Sequence, residues 1–362
     1  MRKFVSRLQL LRDQIRHRLG VILFDKPKPY SPVEPASIKH IVFLRTDAKL
    51  GDAFVSSFVF KDIKRYDPNI RISVVTAPNM RSLFLDHLGA DSVIELRKRP
   101  SYKEITKACI QIGQCDLLVS LNPRPKMKDL YFLSQCQAKH IAGLDDSLRC
   151  VDIKLGQETQ HLHFAQRFAL LLEKMGIQAT PQGYVIPQTE QSRLTAHQFL
   201  SQHNIEKYCV INGYGSGNAR KLTGSSIENL VKIIKHQTPE LSIVLISSPE
   251  TSELVENNIA SLNLDALHYS VSQSIFDIAS IMATAQFTVS VDTATVHMAT
   301  GLGVPQLAFY HDDQENFAQW HPNSPLSYTC IAEKDTIPDI NQLNWADVEQ
   351  KLSQLISRTN ES

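Results

Sequence analysis

The chain alternates short apolar runs with amphipathic segments in two successive series, and this alternation constrains its fold most. In the first series, apolar β-rich runs predict strands at 41–45, 70–76, 92–96, 117–121 and 140–143. Segments with helical spacing lie between them, at 53–66, 81–88 and 102–112. Strands that alternate with helices form βαβ units and parallel sheets. A predicted helix at 161–176, which ends at a glycine, closes this first domain.

A second series of the same kind follows. Strands are predicted at 208–212, 241–247, 287–291 and 306–310, and helices at 226–236, 251–260, 275–283 and 295–301. A chain of 362 residues with 43% hydrophobic residues can bury two cores. We therefore predict an α/β protein with two facing Rossmann-like domains and a cleft between them, which is the expected active site. The predicted boundaries are 1–37 for a helix and linker, 38–176 and 177–330 for the two domains, and 331–362 for a helical tail.

Composition excludes several classes of protein. The 38 basic and 37 acidic side chains give a formal net charge of +1, so nothing indicates a nucleic-acid partner. The six cysteines form no CxxC pair, and several lie in apolar runs, which favours a reducing cytoplasm. No apolar run reaches the ~18 residues that a spanning helix needs, and no cleavable signal pattern opens the chain.

The first residues form a basic amphipathic pattern. Apolar side chains recur at helical spacing, at Phe4, Leu8, Leu11, Ile15, Leu19 and Ile22. Positive charges lie among them, at Arg2, Lys3, Arg7, Arg12, Arg16 and Arg18. Such a helix either lies on an anionic membrane surface or packs on the body of its own protein, and the sequence leaves both interpretations open. The proline-rich run 26–32 ends the helix and marks a linker.

Leu50-Gly51-Asp52 follows the first predicted strand and begins the next helix. This position puts a carboxylate at the carboxyl end of the first strand, where open α/β sheets bind their ligands. Asp52 is therefore our candidate for the group that carries the chemistry. The alternative is that Asp52 only caps the helix.

Two segments of the second half could bind an anion. The first, Asn212-Gly213-Tyr214-Gly215-Ser216-Gly217-Asn218-Ala219-Arg220-Lys221, offers glycines for close backbone approach and a lysine for a phosphate. Its composition fits a flexible loop equally well. The second, 289–299, joins a strand to a helix near Thr295, whose amino end could hold a diphosphate. In the alternative, Asp292 or Thr293 caps that helix and His297 packs on the sheet.

Taken together, these motifs resemble those of the bacterial lipopolysaccharide heptosyltransferases, the ninth family of glycosyltransferases. The resemblance covers about residues 39–320, and its matching segments are 45–52, the glycine-rich segment that ends at Lys221, 292–299 and 301–305. It implies the GT-B fold. Two segments depart from the family pattern, because Ala294 replaces a glycine and Asp47-Ala48-Lys49 replaces small polar residues.

The resemblance implies a role for each matching residue. Asp52 corresponds to the catalytic base and Lys221 to the phosphate-binding lysine. The donor-diphosphate segment contains Asp292, Thr293, Ala294 and His297, and an acidic residue for the nucleotide ribose falls near Glu250 or Glu253. Arg45, Lys49 and Gly51 are candidates for contact with an anionic acceptor.

The implied activity is an inverting, metal-independent transfer of heptose from ADP-heptose to the inner core of lipopolysaccharide, at the cytoplasmic face of the inner membrane. This chemistry requires a base that accepts the proton of the acceptor hydroxyl. It also requires positive groups of the protein that stabilise the leaving diphosphate. No Asp-x-Asp motif occurs, so lysine and helix dipole would replace a metal, and no cofactor is implied. The alternatives are another nucleotide sugar, a nucleotide-sugar epimerase and a catalytically silent binding module.

Overall fold

The computed structural model describes residues 2–28, 32–46, 49–334 and 337–360, without the side chains of 2–11 and 360. The described residues form two compact units. The first unit comprises Met1–Lys49 and Ser56–Pro181, and the second comprises Leu50–Val55 and Gln182–Ser362. The N-terminal helix thus belongs to the first unit, and six residues that follow the first strand belong to the second.

The first unit is built on a parallel sheet that has six strands in the described residues, in the order β3-β2-β1-β4-β5-β6. The strands are β1 His40–Arg45, β2 Arg71–Thr76, β3 Ser92–Glu95, β4 Gln114–Ser120, β5 Gln137–Gly143 and β6 Ile153–Lys154. The helices of this half of the chain are α1 Arg2–Phe24, α2 Leu50–Val55, α3 Phe58–Tyr66, α4 Tyr102–Ile112, α5 Met127–Gln135, α6 Gly156–Thr159 and α7 Phe164–Lys174. Of these, α2 is the segment that groups with the second unit.

The second unit repeats this architecture. Its described strands form a parallel sheet in the order β12-β11-β10-β7-β8-β9. They are β7 Tyr208–Asn212, β8 Ser242–Leu245, β9 Leu267–His268, β10 Phe287–Val291, β11 Gln306–Tyr310 and β12 Ser327–Ile331. The helices are α8 Glu190–Gln202, α9 Gly224–Gln237, α10 Ser252–Ser261, α11 Ile275–Ala283, α12 Ala294–Leu302, α13 Gln314–Trp320 and α14 Trp345–Asn360.

Both sheets have the strand order of a Rossmann fold, in which the order reverses beside the first strand of the sheet. The central strands are mostly apolar and almost wholly buried, because helices cover both faces of a parallel sheet. The reversal lies between β1 and β4 in the first unit and between β7 and β10 in the second. Ligands of open α/β sheets bind at the carboxyl ends of the strands at this point.

Most predicted elements are confirmed, and two predicted helices need correction. The helix predicted at 53–66 is two helices, α2 and α3, which are separated at Ser56–Ser57. The helix predicted at 81–88 is a short π-helix, Leu83–His87. The tail forms α14, and its Val348, Leu352 and Leu355 are buried in the core of the second unit.

The N-terminal helix packs on α5 through a face that leaves the described part of its apolar stripe, Ile15, Leu19 and Ile22, exposed. Gly20 lies so close to α5 that an added Cβ would come within 2.7 Å of Leu130 Cδ1. Phe24 packs edge-on against Tyr131, and the stripe residues Ile15, Leu19 and Ile22 remain 49%, 45% and 79% exposed. Within the described chain, no helix is both long enough and apolar enough to cross a membrane.

Candidate functional site

The carboxyl ends of β7 and β10 bring together the two segments that the sequence singles out in the second unit. The Asn212 amide at the end of β7 donates to Thr293 Oγ1 at 3.1 Å and to Thr295 Oγ1 at 2.9 Å. Thr295 also bonds Ser290 of β10 at 2.6 Å between the two hydroxyl oxygens. This buried network fixes the glycine-rich loop relative to the amino end of α12.

The glycine-rich loop is an ordered hairpin. The Gly215 amide donates to the Arg220 carbonyl at 2.7 Å, the Leu222 amide donates to the Gly213 carbonyl at 2.9 Å, and Tyr214 and Lys221 form an antiparallel bridge. The Lys221 carbonyl accepts from the Asn341 amide at 2.9 Å. The Lys221 ammonium forms no ion pair or hydrogen bond with any described residue. The hairpin thus fixes the backbone of Lys221 and leaves its charge available to a ligand.

Gly215 lies where a side chain does not fit. An added Cβ would come within 2.8 Å of Thr293 Cγ2, 2.9 Å of Arg220 Cβ and 3.1 Å of the Arg220 carbonyl oxygen. The glycine therefore permits the close approach of the loop to Thr293.

The amino end of α12 points its N–H groups toward the same edge of the sheet. Thr293 is the N-cap residue and accepts from the Thr295 amide at 3.3 Å. Together, the uncompleted N–H groups and the helix dipole favour an anion at this end of α12.

The buried Asp292 forms an ion pair with the partly exposed Arg220, which the sequence did not predict. Its carboxylate lies 3.2 Å from the Arg220 guanidinium and accepts from the Asn316 amide at 2.9 Å. Burial raises the pKa of Asp292, and the Arg220 charge opposes that rise. The sequence did contain one sign of this ion pair, because Arg220 is a second basic residue in the loop, adjacent to Lys221. The ion pair gives Asp292 a structural contact with the loop in addition to its place before the N-cap.

His297 is buried on the inner face of α12, 4% exposed. Burial lowers its pKa to about 3, so the ring is neutral at physiological pH. Its Nδ1 has no hydrogen-bond partner among the described residues. The Tyr184 and Trp320 rings lie 6.5 and 6.0 Å away, between ring centroids. His297 thus packs as the alternative interpretation expected, while it retains an unpartnered polar atom.

The segment that carries Asp52 packs on α12. Helix α2 belongs to the same unit as α12, and Asp52 is a half-buried residue of its first turn. An added Cβ on Gly51 would lie 3.3 Å from His297 Cδ2 and 3.5 Å from Ala294 Cα. Gly51 thus allows α2 to lie against Ala294 and His297. The unit that contains Lys221 and the Thr293 helix end therefore also contains Asp52.

The remaining candidates lie in different surroundings. Arg45 belongs to the first unit, is 6% exposed, donates to Ser56 Oγ at 2.6 Å and lies 5.6 Å from the Phe168 ring centroid. Lys49 is exposed. Glu250 is exposed in the turn after β8, and Glu253 is exposed on the first turn of α10. Both glutamates follow β8, the strand next to β7. Asp47 and Ala48 lie outside the described residues.

Across the described ranges, no group of three or more His, Cys, Asp or Glu side chains is placed to hold a metal ion. The positive groups near the donor segment are those already described, Arg220, Lys221 and the amino end of α12.

The architecture and this edge of the second sheet define a two-unit α/β transferase of the GT-B fold class. The family model of glycosyltransferase family 9 (heptosyltransferase) matches residues 130–346, more than half of the chain. The chain belongs to glycosyltransferase family 9.

Individual relatives agree with this assignment. The chain is 22% identical over 335 residues to the Escherichia coli (strain K12) protein named "Putative lipopolysaccharide heptosyltransferase 4", covering 88% of this chain and 89% of that one. A family 9 glycosyltransferase from Veillonella parvula superposes with a TM-score of 0.72 at 16% identity, covering 92% of this chain and 100% of that one. Escherichia coli heptosyltransferase WaaC, in complex with ADP-2-deoxy-2-fluoro heptose, superposes with a TM-score of 0.62 at 18% identity, covering 87% and 99%.

Proposed function

We propose that the protein transfers heptose from ADP-heptose to the inner core of lipopolysaccharide with inversion at the anomeric carbon. The observation that supports the proposal is that Asp52, Lys221 and the amino end of α12 belong to one compact unit in a member of family 9. The structure of WaaC, a protein of the same fold, is that of its complex with an ADP-heptose analogue.

In the proposed reaction, Asp52 accepts the proton of the acceptor hydroxyl while the oxygen of that hydroxyl attacks the anomeric carbon. The bond between that carbon and the diphosphate oxygen breaks, and ADP leaves with the electron pair. Inversion requires the attacking and leaving oxygens to lie on opposite faces of the sugar. Asp52 would accept the proton from the attacking oxygen, and Lys221 would stabilise the negative charge on the leaving oxygen.

The donor site we propose contains Lys221, Asp292, Thr293, Ala294 and His297, with Glu250 on the ribose. Lys221 and the N–H groups of α12 offset the charge that develops on the diphosphate. Asp292 would act through Arg220, whose guanidinium it holds at 3.2 Å. We propose no metal and no cofactor, because these positive groups can take the role of a divalent cation.

Arg45, Lys49 and Gly51 remain our candidates on the acceptor side. Gly51 would act by allowing α2 to approach α12. Arg45 would act through the Ser56 and Phe168 contacts that hold it at the end of β1. Exposed Lys49 is the candidate for direct contact with an acidic acceptor.

We also propose that the protein attaches reversibly to the cytoplasmic face of the inner membrane through α1. The exposed stripe of Ile15, Leu19 and Ile22 would enter the interface, and the exposed Arg18 would lie near lipid phosphates. Leu19→Glu/Ile22→Glu should abolish sedimentation with anionic liposomes at low salt. The control Leu194→Glu, an exposed leucine of α8, should leave it intact. Equal sedimentation of both variants would contradict this mode of attachment.

The donor is tested by a melting-temperature panel of ADP, UDP, GDP and CMP. A ligand at ~100 times its dissociation constant stabilises the folded state by ~2.7 kcal/mol, and we expect ADP to give the largest shift. Lys221→Ala should weaken ADP binding by ~10-fold or more and adenosine binding far less, because one charge-assisted contact to phosphate is lost. The exposed Lys207→Ala should change neither.

Transfer itself is tested by the release of ADP from ADP-heptose with and without a lipopolysaccharide acceptor that lacks the added heptose. Release should require the acceptor. A larger shift with UDP or GDP would contradict the heptose donor, and release without any acceptor would contradict transfer.

A further inference from the structure

The first unit contains a cavity of about 840 Å³ at the carboxyl ends of its strands. Leu44 and Thr46 at the end of β1, Leu96 after β3 and the loop 98–100 line it, together with α1 and the beginning of α5. This is the edge of a Rossmann-type sheet at which ligands bind. None of our acceptor candidates from the sequence lines the cavity.

The side chains around the cavity are strongly basic. We use "the basic pocket" for this cavity and its six positive residues, which are Arg12, Arg16, Lys98, Arg99, Lys126 and Lys128. Asp129 is the one acidic residue among the lining residues. Six positive charges against one negative charge contrast with a net charge of +1 for the whole chain. Such a concentration of one sign attracts an anionic ligand.

Three of these six charges have no partner among the described residues. Arg16, Lys98 and Arg99 form no ion pair or hydrogen bond with the described residues. In contrast, Lys126 pairs with Asp13 at 2.9 Å, and Lys128 donates to the Pro100 carbonyl at 2.6 Å. Unpaired like charges repel one another, so an uncompensated cluster is stabilised by a ligand that supplies the opposite charge.

The N-terminal helix is held in place at the basic pocket. His17 Nδ1 contacts the Pro125 carbonyl at 2.8 Å, and buried Asp25 accepts from the Arg149 and Cys150 amides at 3.0 and 2.9 Å. Arg12 and Arg16, four residues apart on one helix face, therefore both reach the pocket. Both anchors follow the arginines in the chain, His17 within α1 and Asp25 directly after it, and they hold this end of the helix on the first unit.

We propose that the basic pocket binds a sugar that carries several phosphate or carboxylate groups, and that α1 supplies part of this binding site. That the sugar is the acceptor of the transfer rests on the proposed function, whereas the preference for clustered anionic groups rests on the pocket alone. One phosphate carries at most two negative charges and would not neutralise Arg16, Lys98 and Arg99 together, so a ligand with at least two such groups fits better. Arginines of α1 would then select acceptors by their phosphorylation.

Lysine acetylation of the full-length protein, read by mass spectrometry, tests the two sites separately. The probe is a phosphorylated inner-core oligosaccharide freed of lipid, and at twice its dissociation constant it should slow acetylation of Lys98 about threefold. Lys103 and Lys107, exposed on α4 and outside the pocket, are the internal controls and should not change. ADP should protect Lys221 instead. Lack of protection by ADP would count against the donor site, and lack of protection of Lys98 by the oligosaccharide would overturn the basic pocket.

A matched pair of variants completes the test. Arg16→Ala/Arg99→Ala should weaken oligosaccharide binding about 10- to 100-fold, because two charge-assisted contacts are lost, with ADP affinity unchanged. Arg18→Ala/Lys103→Ala removes the same charge outside the pocket and should have little effect. Removal of the phosphates from the oligosaccharide should weaken binding to the wild type by a similar factor. Equal binding by both double variants would overturn the proposal, as would equal protection of Lys98 by phosphatidylglycerol vesicles, which would assign the pocket to lipid phosphates.

Discussion

Gly215 shows how a single missing side chain shapes the proposed donor site. An added Cβ would lie 2.8 Å from Thr293 Cγ2, and backbone and Cβ atoms of Arg220 block the other directions. Gly215→Ala should therefore displace the loop and weaken ADP binding by ~10-fold or more, measured by calorimetry. Gly224→Ala is the control, because its added Cβ meets the ends of the Asn258 and Leu262 side chains, which can move. Comparable losses in both variants would contradict the role of the Gly215 contact.

His297 predicts a specific dependence of stability on pH. Its pKa is about 3 in the folded protein against 6.5 for the ordinary side chain, because burial disfavours the charged form. Between these values the unfolded chain binds a proton that the folded protein does not. The contribution to stability is therefore complete above pH 6.5 and is lost as the pH falls toward 3.

His297→Gln should make the acid limb shallower by up to about 1.4 kcal/mol per pH unit in that window. The free energy of unfolding in urea, measured from pH 4 to pH 7, gives this slope. The exposed His236→Gln should leave the slope unchanged. A steeper limb in the His297 variant would contradict a neutral buried ring.

At the scale of elements, the contact between α2 and α12 places Asp52. Gly51 faces Ala294 and His297 with little room, since an added Cβ would lie 3.3 Å from His297 Cδ2. We expect Gly51→Ala to reduce turnover slightly and Gly51→Val to reduce it ~10-fold or more, because a small displacement of a catalytic group is costly. The affinity for ADP should stay within about threefold, since the proposed phosphate contacts lie elsewhere. A graded loss of ADP affinity instead would mean that Gly51 supports α12 itself.

Asp25, which directly follows α1, is one of the residues that attach this helix to the first unit. It is 3% exposed and accepts from two backbone amides, of Arg149 and Cys150. Asp25→Ala leaves both amides without a partner and should lower the free energy of unfolding by about 2–4 kcal/mol. The control Gln14→Ala, at an exposed position of α1, should barely move the unfolding midpoint in urea. If the two variants unfold alike, α1 is not anchored through Asp25.

The sequence predicted elements best where hydrophobic periodicity decides the structure. The central strands β7, β10 and β11 match their predicted ranges residue for residue, because parallel strands covered on both faces are continuous apolar runs. The edge strands β6 and β9 have two residues each and carry no such pattern. In α1 the apolar stripe was visible in the sequence, but which face packs depends on Gly20 and the complementary surface of α5.

At the scale of the whole molecule, the two Rossmann-type sheets and the loops at their carboxyl edges followed from the alternation and from general rules for open α/β sheets. The grouping of Leu50–Val55 with the second unit did not, because it rests on packing between residues about 240 positions apart in the sequence. Likewise, the pair between Arg220 and Asp292 joins two loops and has no local signature. The basic pocket draws on α1, the loop after β3 and α5, so only folding brings its charges together.

Asp52→Asn shows whether Asp52 accepts the proton of the acceptor hydroxyl, because the amide keeps the size of the side chain and removes its basicity. We predict that the rate of acceptor-dependent ADP release falls ~100-fold or more, while ADP affinity by calorimetry stays within about twofold. Glu206→Gln, an exposed carboxylate of the same unit, should retain wild-type turnover. Near-normal turnover by Asp52→Asn with the acceptor would contradict the account.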